Sequence, residues 1–180
     1  MTVDEKLKEG VAIELDIALT EEIIFSTFSS VTQDISGIET ARYTGRKRHI
    51  DNPISAVIVS KGVFVSKIIC FFPKKFLSEV VLSMSRGQKL SAEDWEAYVK
   101  EYVNIFIGRT ISKINNELGV ASRFIIPVIM HGEYHESGYK VYDLSLDIPI
   151  TTKYGILRIH AGYDEPARAF AATAAGPIGK

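Results

Sequence analysis

The longest uninterrupted helical pattern in the chain is SAEDWEAYVKEYVNIFIGRTISKINNELG, residues 91–119. Ser91 and Asp94 have the spacing of a capping signal, in which side-chain oxygens bind the free backbone N–H groups at a helix start. Gly119 is a natural stop for the same helix. We therefore predict one long helix from about Ala92 to Leu118.

Two opposite faces of this helix have different chemistry. At about 3.6 residues per turn, one stripe can face a core. Its members are Trp95, Val99, Val103, Phe106, Thr110 and Ile114. The opposite face carries Ala97, Glu101, Asn104, Gly108 and Asn115. Glu101 and Asn104 lie about 60° apart around the axis and about 4.5 Å apart along it, so both can reach one partner. Ala97 and Gly108 leave room for that partner to approach closely.

The segments before the long helix predict a helix followed by a hairpin. Apolar residues at helical spacing begin near Leu19, and Gly37 ends this first helix. The stretches Ile54–Val59 and Val63–Phe72 are rich in β-branched and aromatic residues, which favour strands. Lys61-Gly62 is the predicted turn between them.

The remaining segments predict one more helix and further strands. A second helix is expected between Pro73 and Met84. Phe124–Met130 is typical of a strand, which Pro127 limits to an edge or an irregular pairing because proline has no N–H donor. Polar and apolar residues alternate in Tyr142–Ile148, as in a sheet with one solvated face, and Tyr154–Ala161 can return beside it. The predicted fold class is α+β, with helices packed on a largely antiparallel sheet.

Composition excludes several classes of protein. The 180 residues fit a single domain, which we assign to residues 1–163, with 164–180 as a loose C-terminal tail. The 21 Lys and Arg residues are balanced by 22 Asp and Glu, so no general basic field exists to bind nucleic acid. No apolar run reaches the roughly 18 residues of a membrane span. The single cysteine, Cys70, favours a reducing cytoplasm over an oxidising compartment.

Three side chains near a predicted turn could in principle bind a metal. His131, Glu133 and His135 would project to one side of an extended segment, although the neighbouring glycines favour a hairpin turn there. Asp143 and Asp147 could be paired carboxylates or simply the polar positions of a solvated sheet face, and the second reading is favoured. We therefore predict no metal site.

Two other features have structural explanations that compete with functional ones. Arg46-Lys47-Arg48-His49 is a basic cluster without aromatic neighbours for stacking nucleic acid bases, so a solvated strand or turn is favoured. Cys70 lies among Ile and Phe residues, which favours a core position over a nucleophilic role. The chain also lacks the glycine-rich loops of nucleotide-binding proteins.

The segment Glu101-Tyr-Val-Asn104-Ile-Phe-Ile-Gly108-Arg109 resembles the corresponding part of the CheC/CheX-type chemotaxis phosphatases. The resemblance covers roughly Thr20 to Tyr163 and includes the preceding helix, a hairpin that ends in Phe71-Phe72-Pro73 and the later Pro127 strand. It implies the CheC/CheX-like fold. The chain departs from the family pattern at Ala97, where Asp or Ser is common. The first helix has Phe25 three residues after Glu22, so one E-x-x-N site is expected, as in CheX-like members.

The resemblance also implies an activity. In that family the Glu and Asn of E-x-x-N act on a phosphorylated CheY-like receiver, so Glu101 and Asn104 are the expected catalytic residues. The amide of Asn104 can hold a water in line with phosphorus. Glu101 is expected to dock to a receiver lysine, with Ala97 and Gly108 also meeting the partner. The receiver supplies the Mg²⁺, so this chain needs no cofactor of its own. A homodimer is implied as well. The alternative is a non-catalytic binding or scaffold module, like the middle domain of FliM.

Overall fold

The computed structural model describes residues 17–46, 49–62, 65–118, 121–135 and 142–164. The predicted tail lies outside these ranges except for Asp164. The described elements, in chain order, are α1 (Ile17–Ser36), β1 (Ala41–Arg42), β2 (Ile54–Gly62), β3 (Ser66–Phe72), α2 (Lys74–Met84), α3 (Ala92–Leu118), β4 (Ser122–Phe124), β5 (Val128–His131), β6 (Leu144–Thr152) and β7 (Gly155–Tyr163). They confirm the predicted α+β class.

All the described strand pairs are antiparallel, and they form one sheet in the order β1-β6-β7-β3-β2-β4. The strand β5 also pairs with β2. It lies beside the first half of β2, whereas β4 lies beside the last three residues of β2. Two short strands therefore share the outer edge of β2. The break between them falls at residues 125–127, where Pro127 cannot donate a backbone hydrogen bond. The single strand predicted for Phe124–Met130 is thus two strands separated by this interruption.

The predicted turn at Lys61-Gly62 is wrong, because both residues still belong to β2. Lys61 pairs with Arg123 and Gly62 pairs with Ser122. A Cβ added to Gly62 would lie 2.9 Å from the backbone oxygen of Ala121, and its φ is 108°. Glycine is needed here because the next strand passes too close for any side chain. The register of β4 beside β2 therefore depends on this glycine.

The core lies between one face of the sheet and the three described helices. Its centre is a cluster of aromatic rings from α1, β3, α2 and α3, namely Phe28, Phe72, Phe76, Tyr102 and Phe106, each 0% exposed. The rings of Phe28 and Phe106 meet edge to face, with centroids 5.3 Å apart. Such pairs contribute about 0.5–1.5 kcal/mol beyond the area that they bury. This cluster holds α3 against α1 and the sheet.

A buried polar contact sets the rotation of α3 against α1. The hydroxyls of Tyr102 and Thr32 are 2.7 Å apart, and the Thr32 hydroxyl is also 2.7 Å from the carbonyl of Phe28. Burial raises the pKa of Tyr102, so the phenol stays neutral. At the surface, Arg109 donates to Asp34 over 2.9 Å. Because Tyr102 must point into α1, its neighbour Glu101 is turned toward solvent.

The second face of the sheet is less solvated than its alternating sequence predicts. Ile69 and Phe71 on this face are only 5% exposed. The guanidinium of Arg158 lies 4.6 Å from the ring centre of Phe71 and its Nε is 3.5 Å from a carboxylate oxygen of Asp147. A connecting segment also contacts this face of the sheet. Tyr134, for example, accepts a 2.8 Å hydrogen bond from Lys67.

Candidate functional site on the long helix

The helix α3 begins and ends where the sequence predicts. The Ser91 hydroxyl accepts a hydrogen bond from the backbone N–H of Asp94 over 3.1 Å and donates to its carboxylate over 2.7 Å. The predicted apolar stripe is buried except for Trp95, which is half-buried. Three further residues, Tyr102, Ile107 and Ile111, are buried as well. The buried arc is therefore wider than predicted, and the exposed arc is narrower.

Glu101 and Asn104 both lie on this exposed arc. Glu101 is exposed, whereas Asn104 is half-buried. Within the described part of the chain, no hydrogen bond or ion pair engages either side chain. Tyr98 and Ile105, which pack partly against the core, lie three residues before and four residues after Glu101. The exposed carboxylate of Glu101 therefore lies next to two partly buried apolar side chains and is accessible to an external partner.

The opposite border of the site comes from the sheet edge. A Cβ added to Gly108 would lie 3.7 Å and 3.9 Å from two ring carbons of Phe124 in β4. These are ordinary contact distances, so alanine would fit at this position. Gly108 is half-buried by this ring, while Ala97, three turns away at the other end of the site, is exposed. The open surface predicted around Gly108 is thus partly closed by Phe124, a residue that the sequence pattern did not place near the site.

Asn115, predicted to lie on the same open face, has a structural role instead. Its amide nitrogen donates to the carbonyl of Ser122 and its amide oxygen accepts from the N–H of Ser122, both over 2.9 Å. The side chain thus joins the end of α3 to the start of β4. This pair of bonds fixes the strand that presents Phe124 to Gly108.

The flank of α3 that continues from Asn104 toward the N-terminus carries an ion pair. Lys100 Nζ is 2.8 Å from Glu96 Oε1, one helical turn earlier. The hydrogen bond from Lys100 lowers the pKa of Glu96. Glu96 also borders a cleft of about 430 Å³ between the start of α3, Trp95 and His131. The positive charge of Lys100 therefore lies one turn from Asn104 and is paired with the negative charge of Glu96 on the same helix.

The other candidate groups do not assemble into a second reactive site. In the ranges that the structure covers, no group of three or more His, Cys, Asp or Glu side chains is placed to hold a metal ion. His131 lines the same cleft as Trp95, whereas Glu133 lies 3.8 Å from Arg158, so these two residues have different surroundings. Asp147 is paired with Arg158. Cys70 is a buried free thiol whose pKa is raised by burial, which favours the core interpretation.

The predicted basic cluster falls partly outside the described residues, since Lys47 and Arg48 are not among them. Arg46 and His49 are exposed and lie in no strand.

No helix within the described ranges combines the length and hydrophobicity that crossing a bilayer would require.

Comparison with solved structures identifies the architecture. The chemotaxis protein CheX from Desulfovibrio desulfuricans superposes with a TM-score of 0.68 and 19% identity, over 81% of this chain and 99% of that one. The chain has the CheX-like fold. A CheC-like superfamily protein from Shewanella sp. PV-4 gives a TM-score of 0.67 and 15% identity, over 83% and 99% of the two chains. No family model and no curated protein matches the sequence.

A third solved structure contains a partner. It is the CheX–CheY–BeF₃–Mg²⁺ complex from Borrelia burgdorferi. One chain of that complex matches this protein with a TM-score of 0.62 and 19% identity, over 80% of this chain and 97% of that one. At such identities the comparison establishes the fold and not the activity. The fold predicted from the E-x-x-N segment and its flanking elements is confirmed.

Proposed function

We propose that this protein accelerates hydrolysis of the aspartyl phosphate of a CheY-like response-regulator receiver. One observation carries the proposal: Glu101 and Asn104 stand about one turn apart on the exposed arc of α3, in a CheX-like fold, and no described side chain engages them. The existence of a CheX–CheY complex with the same fold supports a receiver as the partner. The reducing cytoplasm expected from the lone cysteine belongs to this proposal.

The proposed reaction requires few catalytic groups from this protein. An acyl phosphate is already activated, so its hydrolysis depends on a positioned water and on stabilised charge rather than on a strong base. The half-buried amide of Asn104 can orient that water without repelling the phosphoryl oxygens. Glu101 docks to a lysine of the receiver. The receiver brings the Mg²⁺, and this chain contributes no cofactor.

The direct test mixes the purified protein with Mg²⁺-loaded, phosphorylated CheY-like receivers and follows the release of phosphate. We expect a rate at least about tenfold above that of the receiver alone, which corresponds to roughly 1.4 kcal/mol of barrier. Receiver binding in the absence of any acceleration would favour the scaffold alternative. If no receiver is bound or dephosphorylated, only the fold is shared with CheX proteins.

The docking role of Glu101 predicts a separate effect on affinity. Glu101→Gln keeps the shape of the side chain and removes its charge, so receiver binding should weaken about tenfold while the rate at saturating receiver changes little. The wild-type affinity should also fall more steeply with added salt than that of the variant. Titration by calorimetry or fluorescence measures both quantities. Glu117→Gln, on the exposed far end of α3, is the matched control, and an equal loss there would argue against a specific contact.

The proposed homodimer would use the outer edge formed by β4 and β5. In the described part of the chain, β5 pairs only with β2, and its neighbourhood exposes apolar side chains: Ile126 is 73% exposed and Val128 is 58% exposed. Such an edge can pair with another chain. Light scattering should give about twice the 20.0 kDa monomer mass. Val128→Lys should shift the mass toward one chain, whereas Leu82→Lys, at an exposed apolar position on α2, should not. A wild-type monomer would refute this assembly.

A further inference from the structure

The cation closest to Asn104 by helix geometry is Lys100. Among the described residues of α3, the positively charged side chains are Lys100, Arg109 and Lys113. Lys100 precedes Asn104 by one turn, which places it about 40° around the axis and about 6 Å along it. Side chains on a helix tilt toward its N-terminus, so the Asn104 amide lies over the turn that holds Lys100.

The other two cations are poorly placed to serve the same site. Arg109 is rotated from Asn104 by about 140°, and Asp34 of α1 holds its guanidinium at 2.9 Å. Lys113 is rotated by about 180° and lies about 13.5 Å farther along the axis. Among the cations of α3, Lys100 is therefore the one placed nearest to a group bound at Asn104.

The existing partner of Lys100 can be exchanged. Its ammonium lies 2.8 Å from Glu96, and the two side chains are 41% and 36% exposed. Exposed pairs at this helical spacing contribute little to stability, because water and salt screen them and two long side chains must be ordered. Glu96 thus keeps the ammonium near the site without binding it strongly.

Positive charge near the phosphoryl group favours phosphoryl transfer. Negative charge on the phosphoryl oxygens is stabilised in known enzymes by cations that are already positioned before the reaction. Asn104 is neutral, and the negative charge of Glu101 would oppose a phosphoryl group. Near Asn104, Lys100 is therefore the residue of α3 that can add positive charge to the charge that the receiver's Mg²⁺ supplies.

We infer that Lys100 leaves Glu96 when a phosphorylated receiver docks and contacts the phosphoryl oxygens as a second catalytic residue. This inference rests on the proposed function. In the step concerned, the water oxygen bonds to phosphorus, the bond from phosphorus to the aspartyl oxygen breaks, and the products are the receiver carboxylate and inorganic phosphate. Both protons of the water leave with the phosphate, which departs as dihydrogen phosphate. Lys100 stays protonated throughout and contributes only its charge.

The test compares Lys100→Met with Lys113→Met, which makes the same change on the same helix away from the site. Phosphate release from a Mg²⁺-loaded phosphorylated receiver is measured at saturating receiver, together with receiver affinity and thermal stability. Lys100→Met should slow release about tenfold, with affinity and melting temperature nearly unchanged. Lys100→Arg should recover part of the rate, and Glu96→Gln should match or exceed the wild type. Lys113→Met should behave as the wild type.

Two results would overturn the inference alone: a Lys100→Met rate within about twofold of wild type, or a loss confined to affinity with the saturated rate preserved. In either case the wild-type protein still accelerates release, and the proposed function stands. A wild-type protein that gives no acceleration overturns the proposed function and this inference together. The wild-type rate therefore separates the two failures.

Discussion

Replacing Asn104 with alanine is expected to lower the acceleration of receiver dephosphorylation on the order of 100-fold, because the variant can no longer orient the attacking water. Receiver binding should persist, since the amide is half-buried and small and Glu101 is retained. The loss should therefore appear in the rate at saturating receiver and not in the affinity. Phosphate release and a binding titration on the same receiver measure the two effects separately.

Asn116→Ala is the matched control for this variant. Asn116 is an exposed asparagine on the same helix, twelve residues from Asn104. It should leave both rate and affinity unchanged. Asn104→Asp adds an opposite test, because it keeps the shape of the side chain and places a negative charge against the phosphoryl oxygens, so its rate should be no higher than that of Asn104→Ala. An Asn104→Ala protein with the wild-type rate would refute the proposed mechanism.

Replacing Phe106 with alanine is expected to destabilise the protein by about 3–5 kcal/mol. Phe106 is 0% exposed and forms the edge-to-face pair with Phe28 that joins α3 to α1. The variant loses the burial of an aromatic ring and leaves a cavity in a close-packed core. A typical domain has only about 5–15 kcal/mol of stability, so this is a large share. Chemical denaturation measures the change directly, and the melting temperature should fall on the order of 10 °C.

Ser112→Ala serves as the control because Ser112 is exposed on the same helix. Its free energy of unfolding should stay within about 0.5 kcal/mol of the wild type. Phe106→Leu keeps most of the buried volume and should cost clearly less than alanine, which gives a foldable variant if Phe106→Ala does not accumulate. If Phe106→Ala unfolds at the same denaturant concentration as the wild type, the aromatic cluster does not hold α3 in place.

Predictions from local sequence signals were the most accurate. The bounds of α3 follow from the Ser91 cap and the helical periodicity, and α2 lies between Pro73 and Met84 as predicted. The turn placed at Lys61-Gly62 was wrong because glycine is also required where strands approach closely. That cause could not be seen without the position of β4.

At the candidate site, too, some features follow from the sequence and others depend on tertiary contacts. Helical periodicity alone puts Glu101 and Asn104 on one face opposite an apolar stripe, and their exposure agrees with it. Periodicity also put Asn115 on that face, where its hydrogen bonds to Ser122 give it a structural role instead. The sequence shows the four-residue spacing of Glu96 and Lys100, but the structure adds that their side chains form an ion pair.

The sequence by itself determined the length of α3, the face that carries the E-x-x-N pair and the fold class. These features depend on caps, periodicity and strand propensity, which act over a few residues. Only the tertiary structure decided that Phe124 closes one side of the site, that Pro127 divides the sheet edge and that Tyr102 turns Glu101 outward through Thr32. Each of these depends on contacts between residues distant in sequence, where packing and hydrogen-bond geometry, rather than local preference, select the arrangement.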